Sequence, residues 1–235
     1  MRLSSRGFLA GYGAQQVQVR LELAKWTALL AMAIDHYGKI VDPGIYLETH
    51  LIGRVSFPLF AAIIGLRLAD MPELGPRYLR RLIPSAVISQ PIYVMAGRAW
   101  FDGNIMVTLA LGVGVVVVWR RCSPPTTFLV LIGIAVLSWF ADFGPLGVAM
   151  IPAIAALARV HFAAPLWAIG PLGVLANLHS APPFMQPVDL AALPATGVVL
   201  LSLALPRRLP RLPGWLFYAF YPAHLLALHL YDLYG

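Results

Sequence analysis

Apolar residues run along this chain in long blocks, and polar ones gather in the short stretches between them. A window of about 20 residues, the length that spans roughly 30 Å of hydrocarbon, picks out blocks near 24–41, 51–69, 79–97 and 105–119. Five more follow near 126–142, 144–159, 161–179, 188–206 and 213–231. Several are short or broken by Pro or Gly, which membrane helices tolerate. The pattern predicts an all-α polytopic membrane protein, a single bundle of about nine transmembrane helices. Eight is the competing count, because the turn between 126–142 and 144–159 is short enough for a re-entrant hairpin. Residues 1–23 mix Arg2, Arg6, Arg20 and Glu22 with Gln15, Gln16 and Gln18, so they read as a cytoplasmic arm and not as a cleavable signal. Residues 24–235 form the membrane domain, with no repeat or low-complexity linker to divide it.

Composition agrees with the pattern: of 235 residues, 60% are hydrophobic and 11% charged, and the mean hydropathy is +0.77. The single cysteine, Cys122, excludes a disulfide framework and any cysteine-based metal cluster. A net charge of +7 raises the question of nucleic acid, but the basic residues come in small groups between apolar blocks, which excludes a nucleic-acid face. Topology accounts for them better, because Lys and Arg favour cytoplasmic loops. With the N-terminus inside, nine helices leave Arg2, Arg6, Arg20, Lys25, Arg67, Arg77, Arg80, Arg81, Arg120, Arg121, Arg159, Arg207, Arg208 and Arg211 on the cytoplasmic side, 14 of the 17 cations. Lys39 and Arg98 fall outside, among Asp42, Glu48, Asp102, Asp142, Asp189 and Asp232, and Arg54 falls in the membrane. The C-terminus is then periplasmic.

An ionisable group at membrane depth is costly unless paired or hydrated, which makes each one a candidate for function. The first block reads KWTALLAMAIDHYGKI and carries Asp35 and His36. Lys25 and His36 are eleven residues apart, which puts them within roughly 20° on one helix face and about 16 Å apart along the axis. That spacing suits a binding track with a cation at its cytoplasmic mouth; a snorkelling Lys25 and a hydrogen-bonded interior His36 are the structural alternatives. Counted from the cytoplasmic ends of their blocks, His36, Gln90 and His224 all lie at roughly 17 Å and are predicted to share a cavity. Ser89, Tyr93 and Tyr221 flank that level, and Pro91 and Pro222 loosen the backbone there. Arg54 opens the second block at a level similar to Asp35, which predicts a pair with either a catalytic or a register-fixing role. Asn104 and Thr108 are donors at the outer mouth, with helix capping an equal explanation for Asn104. His50, His161 and His179 lack the paired spacing of metal ligands, and His229 reads as a solvated interfacial group, so no metal is expected. Phosphate-loop, nucleophile-elbow and zinc-helix motifs are absent.

The segments KWTALLAMAIDHYG, RVSFPLFAAIIGLRL, RYLRRLIPSAVISQPIY, NIMVTLALG and FYAFYPAHLLALHLY occur in that order. Together they resemble the TraX family over the first half of the chain and its last helix. The Lys25-x10-His36 spacing is also similar to the R/K-x10-H pattern of acyltransferase-3-type membrane acyltransferases, in which the histidine is catalytic. The resemblance implies a bacterial inner-membrane, acetyl-CoA-dependent N-acyltransferase that acetylates the N-terminus of a conjugative pilin during pilus biogenesis. It implies that Lys25, Arg77, Arg80 and Arg81 meet the phosphates of acetyl-CoA. The pantetheine arm, on the order of 15–20 Å long, then brings the thioester to His36. His36 deprotonates the incoming amine or is itself acylated, with Asp35 or a neighbour holding its tautomer and Gln90, Tyr93 or His224 stabilising the oxyanion. A glycan hydroxyl as acceptor, or pilin cyclisation, stays open within this class. A small proton-coupled transporter and a purely structural assembly partner are the readings from other classes. Pilin, acetyl-CoA and membrane lipids are the partners implied.

Overall fold

A computed structural model of the protein describes residues 21–160, 163–178, 187–204 and 209–235. Every regular element among these residues is helical, and the apolar blocks are the reason: a helix satisfies its own backbone polar groups whatever surrounds it. In chain order the helices are α1 (Glu22–Ile40), α2 (Tyr46–Gly53), α3 (Ser56–Asp70), α4 (Gly75–Met95), α5 (Ile105–Arg121), α6 (Pro124–Ser138), α7 (Gly144–Val160), α8 (Ala163–Asn177), α9 (Pro194–Ala204) and α10 (Leu216–Tyr234). Each predicted block coincides with one of them, and α2 is the addition. Short 3-10 turns at Pro43–Ile45, Pro72–Leu74 and Pro187–Ala192 each begin on a proline, whose fixed φ suits a helical first turn.

Helix α3 is the centre. Every residue from Ser56 to Leu66 is buried, the signature of a helix surrounded on all sides. It packs on α1, α5, α7, α8 and α9, with Phe57 stacked on Phe143 at 3.9 Å between ring centroids. Helix α6 lies at the periphery and is inside out relative to a soluble helix: it buries Thr127 and Ser138 while Phe128, Leu129, Val136 and Leu137 face outward. That polarity fits a helix facing lipid. By length and composition, the continuous stretch Pro43–Asp70 is the one long and apolar enough to cross a membrane among the described residues. Helices α6, α7 and α8 have 15 to 17 residues and α9 has only 11. The predicted block 188–206 is therefore too long for its helix, because Pro194 ends the preceding 3-10 turn and restarts the chain.

Closure of the bundle brings the last helix onto the first. Helix α10 packs against both α1 and α4. Pro222 has no N–H, so the carbonyl of Tyr218 one turn earlier loses its helical partner. The Ser85 hydroxyl of α4 donates to that carbonyl at 2.8 Å, which replaces the missing bond and pins α4 to α10. On its other side α1 meets α2 at two glycines. A Cβ on Gly38 would collide with the side chain of Thr49, and one on Gly53 with that of Asp35. Ser85→Ala is expected to cost about 1 kcal/mol by orphaning a part-buried carbonyl, while Ser85→Ala with Pro222→Ala, which restores an N–H, recovers most of that loss. Thermal unfolding of the two variants in detergent checks the sign.

Candidate functional site

Helix α1 carries polar groups to both ends of the bundle. At its start, Lys25 lines a cavity of about 300 Å³ together with Arg67 from the end of α3, Arg77 and Arg81 from the start of α4, and Tyr78, Phe217 and Tyr218. The Arg81 guanidinium lies over the Tyr218 ring, 5.7 Å from its centroid. Lys25 enters as half of an ion pair, with its Nζ 2.5 Å from Glu22 Oε1. The other Glu22 oxygen accepts the Leu212 N–H at 2.9 Å, which ties the segment leading into α10 to α1. Of the four cations expected at this mouth, Lys25, Arg77 and Arg81 are brought together. Arg80 is exposed and does not line the cavity. Arg67 is the cation the sequence reading left out of the cluster.

Eleven residues along α1, His36 meets His224 of α10, with His36 Nδ1 2.7 Å from His224 Nε2. His224 Nδ1 is 2.7 Å from the carbonyl oxygen of Phe220. A carbonyl oxygen only accepts, so His224 Nδ1 carries a hydrogen and, in the neutral ring, His224 Nε2 holds a lone pair. His36 Nδ1–H therefore donates to His224, and His36 Nε2 is left as an unprotonated base. Phe220 stacks on His224 at 4.7 Å between centroids, and Tyr221, almost fully buried, packs 6.1 Å from His36 and 5.8 Å from His224. Nearby, Tyr93 donates to Asp142 at 2.9 Å beneath the Arg98 guanidinium. A single bridge between Gly103 and Ala141, with Asp142 N–H donating to Gly103 O at 2.8 Å, holds that loop in place.

The other expected site residues are arranged differently. Gln90 does not reach the histidine pair: its amide donates to Asp102 O at 2.7 Å and accepts from Asn104 Nδ2 at 2.8 Å, so it clamps the loop before α5. Asn104 is the N-cap of α5, accepting from Met106 N–H at 3.0 Å. Asp35 neither pairs with Arg54 nor holds the His36 tautomer. One of its oxygens lies 2.5 Å from Lys39 Nζ and the other 2.7 Å from His50 Nδ1, since Gly53 lets α2 close directly over it. Tyr46 stacks on His50 at 4.8 Å between centroids, making a carboxylate–imidazole cluster that a hydropathy window passes over as a loop. Arg54 instead meets the fully buried Asp189 at 3.4 Å and Asn177 Oδ1 at 3.3 Å. His229 is buried, not solvated as expected. His161 and His179 lie outside the described residues. Among those described, no group of acidic, histidine or cysteine side chains is placed to hold a metal ion.

Comparison with known proteins places this geometry in a lineage. The profile of the TraX protein family matches residues 20–231. Among curated proteins, Protein TraX of Escherichia coli is 29% identical over 217 residues, 88% of this chain and 85% of that one. Protein TraX of Escherichia coli (strain K12) is 36% identical over 93 residues, where the match spans 38% of this chain and about a third, 36%, of the relative. An uncharacterized protein of Rickettsia prowazekii (strain Madrid E) is 30% identical over 91 residues, 39% of this chain and 34% of that one. No solved structure matches.

The buried Arg54–Asp189 pair generates a stability prediction. Arg54→Met takes the guanidinium away from the fully buried Asp189 carboxylate and is expected to cost about 3–5 kcal/mol, whereas Arg54→Met with Asp189→Asn recovers more than half of it. A double-mutant cycle read by denaturation in mixed micelles measures the coupling.

Proposed function

The chain belongs to the TraX family, and from the arrangement of its two polar sites we propose that it is an inner-membrane acetyltransferase, moving acetyl from acetyl-CoA to the N-terminal amine of a conjugative pilin. The observation that carries the reading is the joining of two sites by one rigid helix. Lys25 in the basic cavity and His36 against His224 are eleven residues apart, about 16 Å along α1, a length that suits a pantetheine arm. Arg67 and Arg77 neutralise the phosphates of the donor, with Lys25 balanced by Glu22 and Arg81 at the rim of the cavity, and Tyr78, Phe217 and Tyr218 offer ring faces to the adenine.

At the far end the pilin N-terminus enters as the neutral amine, and His36 Nε2 takes the one proton its nitrogen loses in the tetrahedral adduct, while Nδ1–H stays on His224. The amine nitrogen forms its bond to the acetyl carbon, the carbon–sulfur bond breaks, and the thiolate of coenzyme A leaves with a proton from the imidazolium. His224 is a positioning residue: its own hydrogen is committed to the Phe220 carbonyl, so it orients His36 and cannot carry the proton away along that path. The Tyr93–Asp142 pair lies beside this centre and shapes the outer approach. The reading takes from the distribution of Lys and Arg a cytoplasmic basic cavity, on the side where acetyl-CoA is made, with the acceptor within or beyond the bilayer.

The test is transfer of labelled acetyl from acetyl-CoA to pilin N-terminal peptides by the purified protein, with the product located by mass spectrometry. His36→Ala is expected to lower turnover about 10²- to 10⁴-fold at saturating donor. Arg77→Ala raises the donor concentration required and leaves turnover largely unchanged. If folded protein neither binds nor consumes acetyl-CoA while pilin is still altered in cells, the donor assignment fails and pilin cyclisation or scaffolding takes its place.

A further inference from the structure

A second cavity, of about 590 Å³, runs along the outside of the bundle between α4 and α10. Its walls are Pro84, Ile88 and Ile92 on α4 and Ala219, Ala223 and Leu226 on α10, with Trp215 at one end. Ile88 is 62% exposed and Leu226 42%, so the cavity opens sideways and away from the core. Its polar content is Arg81, the Tyr218 hydroxyl and Ser85, and the Ser85 hydroxyl is already committed to the Tyr218 carbonyl. Arg81 and Tyr218 line this groove and the basic cavity alike, so the cation lies where an apolar trough meets a charged mouth.

Size and chemistry select the occupant. From Arg81 to Ile92 is eleven residues, about 16 Å of helix, which matches one leaflet, half of a hydrocarbon core roughly 30 Å thick. A membrane-crossing helix from a partner would need twice that length. A pantetheine arm carries two amides, which would find almost nothing to bond along these walls. A hydrocarbon chain needs no such partner, and a phosphate at its head meets the guanidinium. We infer that this groove holds one anionic phospholipid of the cytoplasmic leaflet, its phosphate on Arg81 and one acyl chain between α4 and α10. The inference rests on the membrane reading with the basic end cytoplasmic, but not on the transfer reaction. The lipid completes the outer wall of the basic cavity and braces α10 next to His224.

The experiment uses the full chain in nanodiscs that mix phosphatidylglycerol with phosphatidylcholine. After transfer to mild detergent, native mass spectrometry counts the lipids that stay bound. One retained phosphatidylglycerol per chain is expected, favoured over phosphatidylcholine about fivefold. Arg81→Gln is expected to equalise the two headgroups, and Ile88→Trp, which fills the trough and leaves the cation, to lower retention of both. Circular dichroism and melting confirm that each variant is folded. Equal retention of the two lipids by the wild type, or undiminished retention by Ile88→Trp, overturns the proposal. So does a dimer that is lost with Ile88→Trp, which would make a second copy the occupant. Acetyl-CoA titrated into the same samples separates the two readings: lipid bound without acetyl-CoA binding sinks the transferase and spares this site, and the reverse sinks this site alone.

Discussion

A charge or hydrogen-bonding group carried into an apolar bundle has to bring its partner with it, and the first helix meets that condition three times. Lys25 is held by Glu22, Asp35 by Lys39 and His50, and His36 by His224. The Lys25–Glu22 and Lys39–Asp35 pairs are satisfied within α1 alone. The His50 half of the second needs α2 folded back over two glycines, and the third needs the C-terminal helix to return to the first. The closure of the bundle is therefore coupled to the satisfaction of its polar groups. A chain that packed its apolar faces in any other order would leave His36 without its partner and Asp35 with Lys39 alone, at a cost of several kcal/mol for the unpaired group.

The same condition explains the proline in α10. Pro222 removes a backbone donor at mid-helix, which would be a defect in an isolated helix. Here the orphaned Tyr218 carbonyl recruits Ser85, so the break becomes a cross-link to α4. The cross-link lies between the two sites that α10 helps to build, with Phe217 and Tyr218 in the basic cavity and His224 beyond the proline. Helices α1, α4 and α10 thus form one frame, and α3 fills its back.

How much of this was legible in the sequence follows from what periodicity and counting can carry. Hydropathy located the long helices because a run of apolar side chains needs no knowledge of its neighbours. It passed over α2, whose eight residues include Glu48, Thr49 and His50 and read as a loop. Counting residues gave depth, which grouped His36 with His224, and the structure brings those two rings into contact. Depth without azimuth also grouped Gln90 with them, although Gln90 faces the loop before α5. Arg80 was likewise grouped with Arg77 and Arg81, although it does not line the cavity. Arg54 shows the remaining limit. Its partner Asp189 lies far along the chain, beyond a helix boundary that prolines displaced, and no local pattern joins the two. Asp35, nearer in sequence and similar in depth, was the natural but wrong choice.

The histidine pair also constrains what chemistry this fold can support. His224 is fixed as a donor at Nδ1 by a carbonyl that cannot accept a proton, so a relay running from His36 through His224 stops after one step. A proton-coupled transporter needs a continuous path across the membrane, and this pair ends one instead of extending it. A transferase needs only a base of defined tautomer that returns the proton it takes to the leaving group within each cycle. In the neighbouring cluster at the outer end of the same helix, the Asp35 carboxylate lies 2.7 Å from His50 Nδ1. The His36–His224 pair, joined from α1 and α10, is therefore arranged for local proton exchange and not for passage through the bundle.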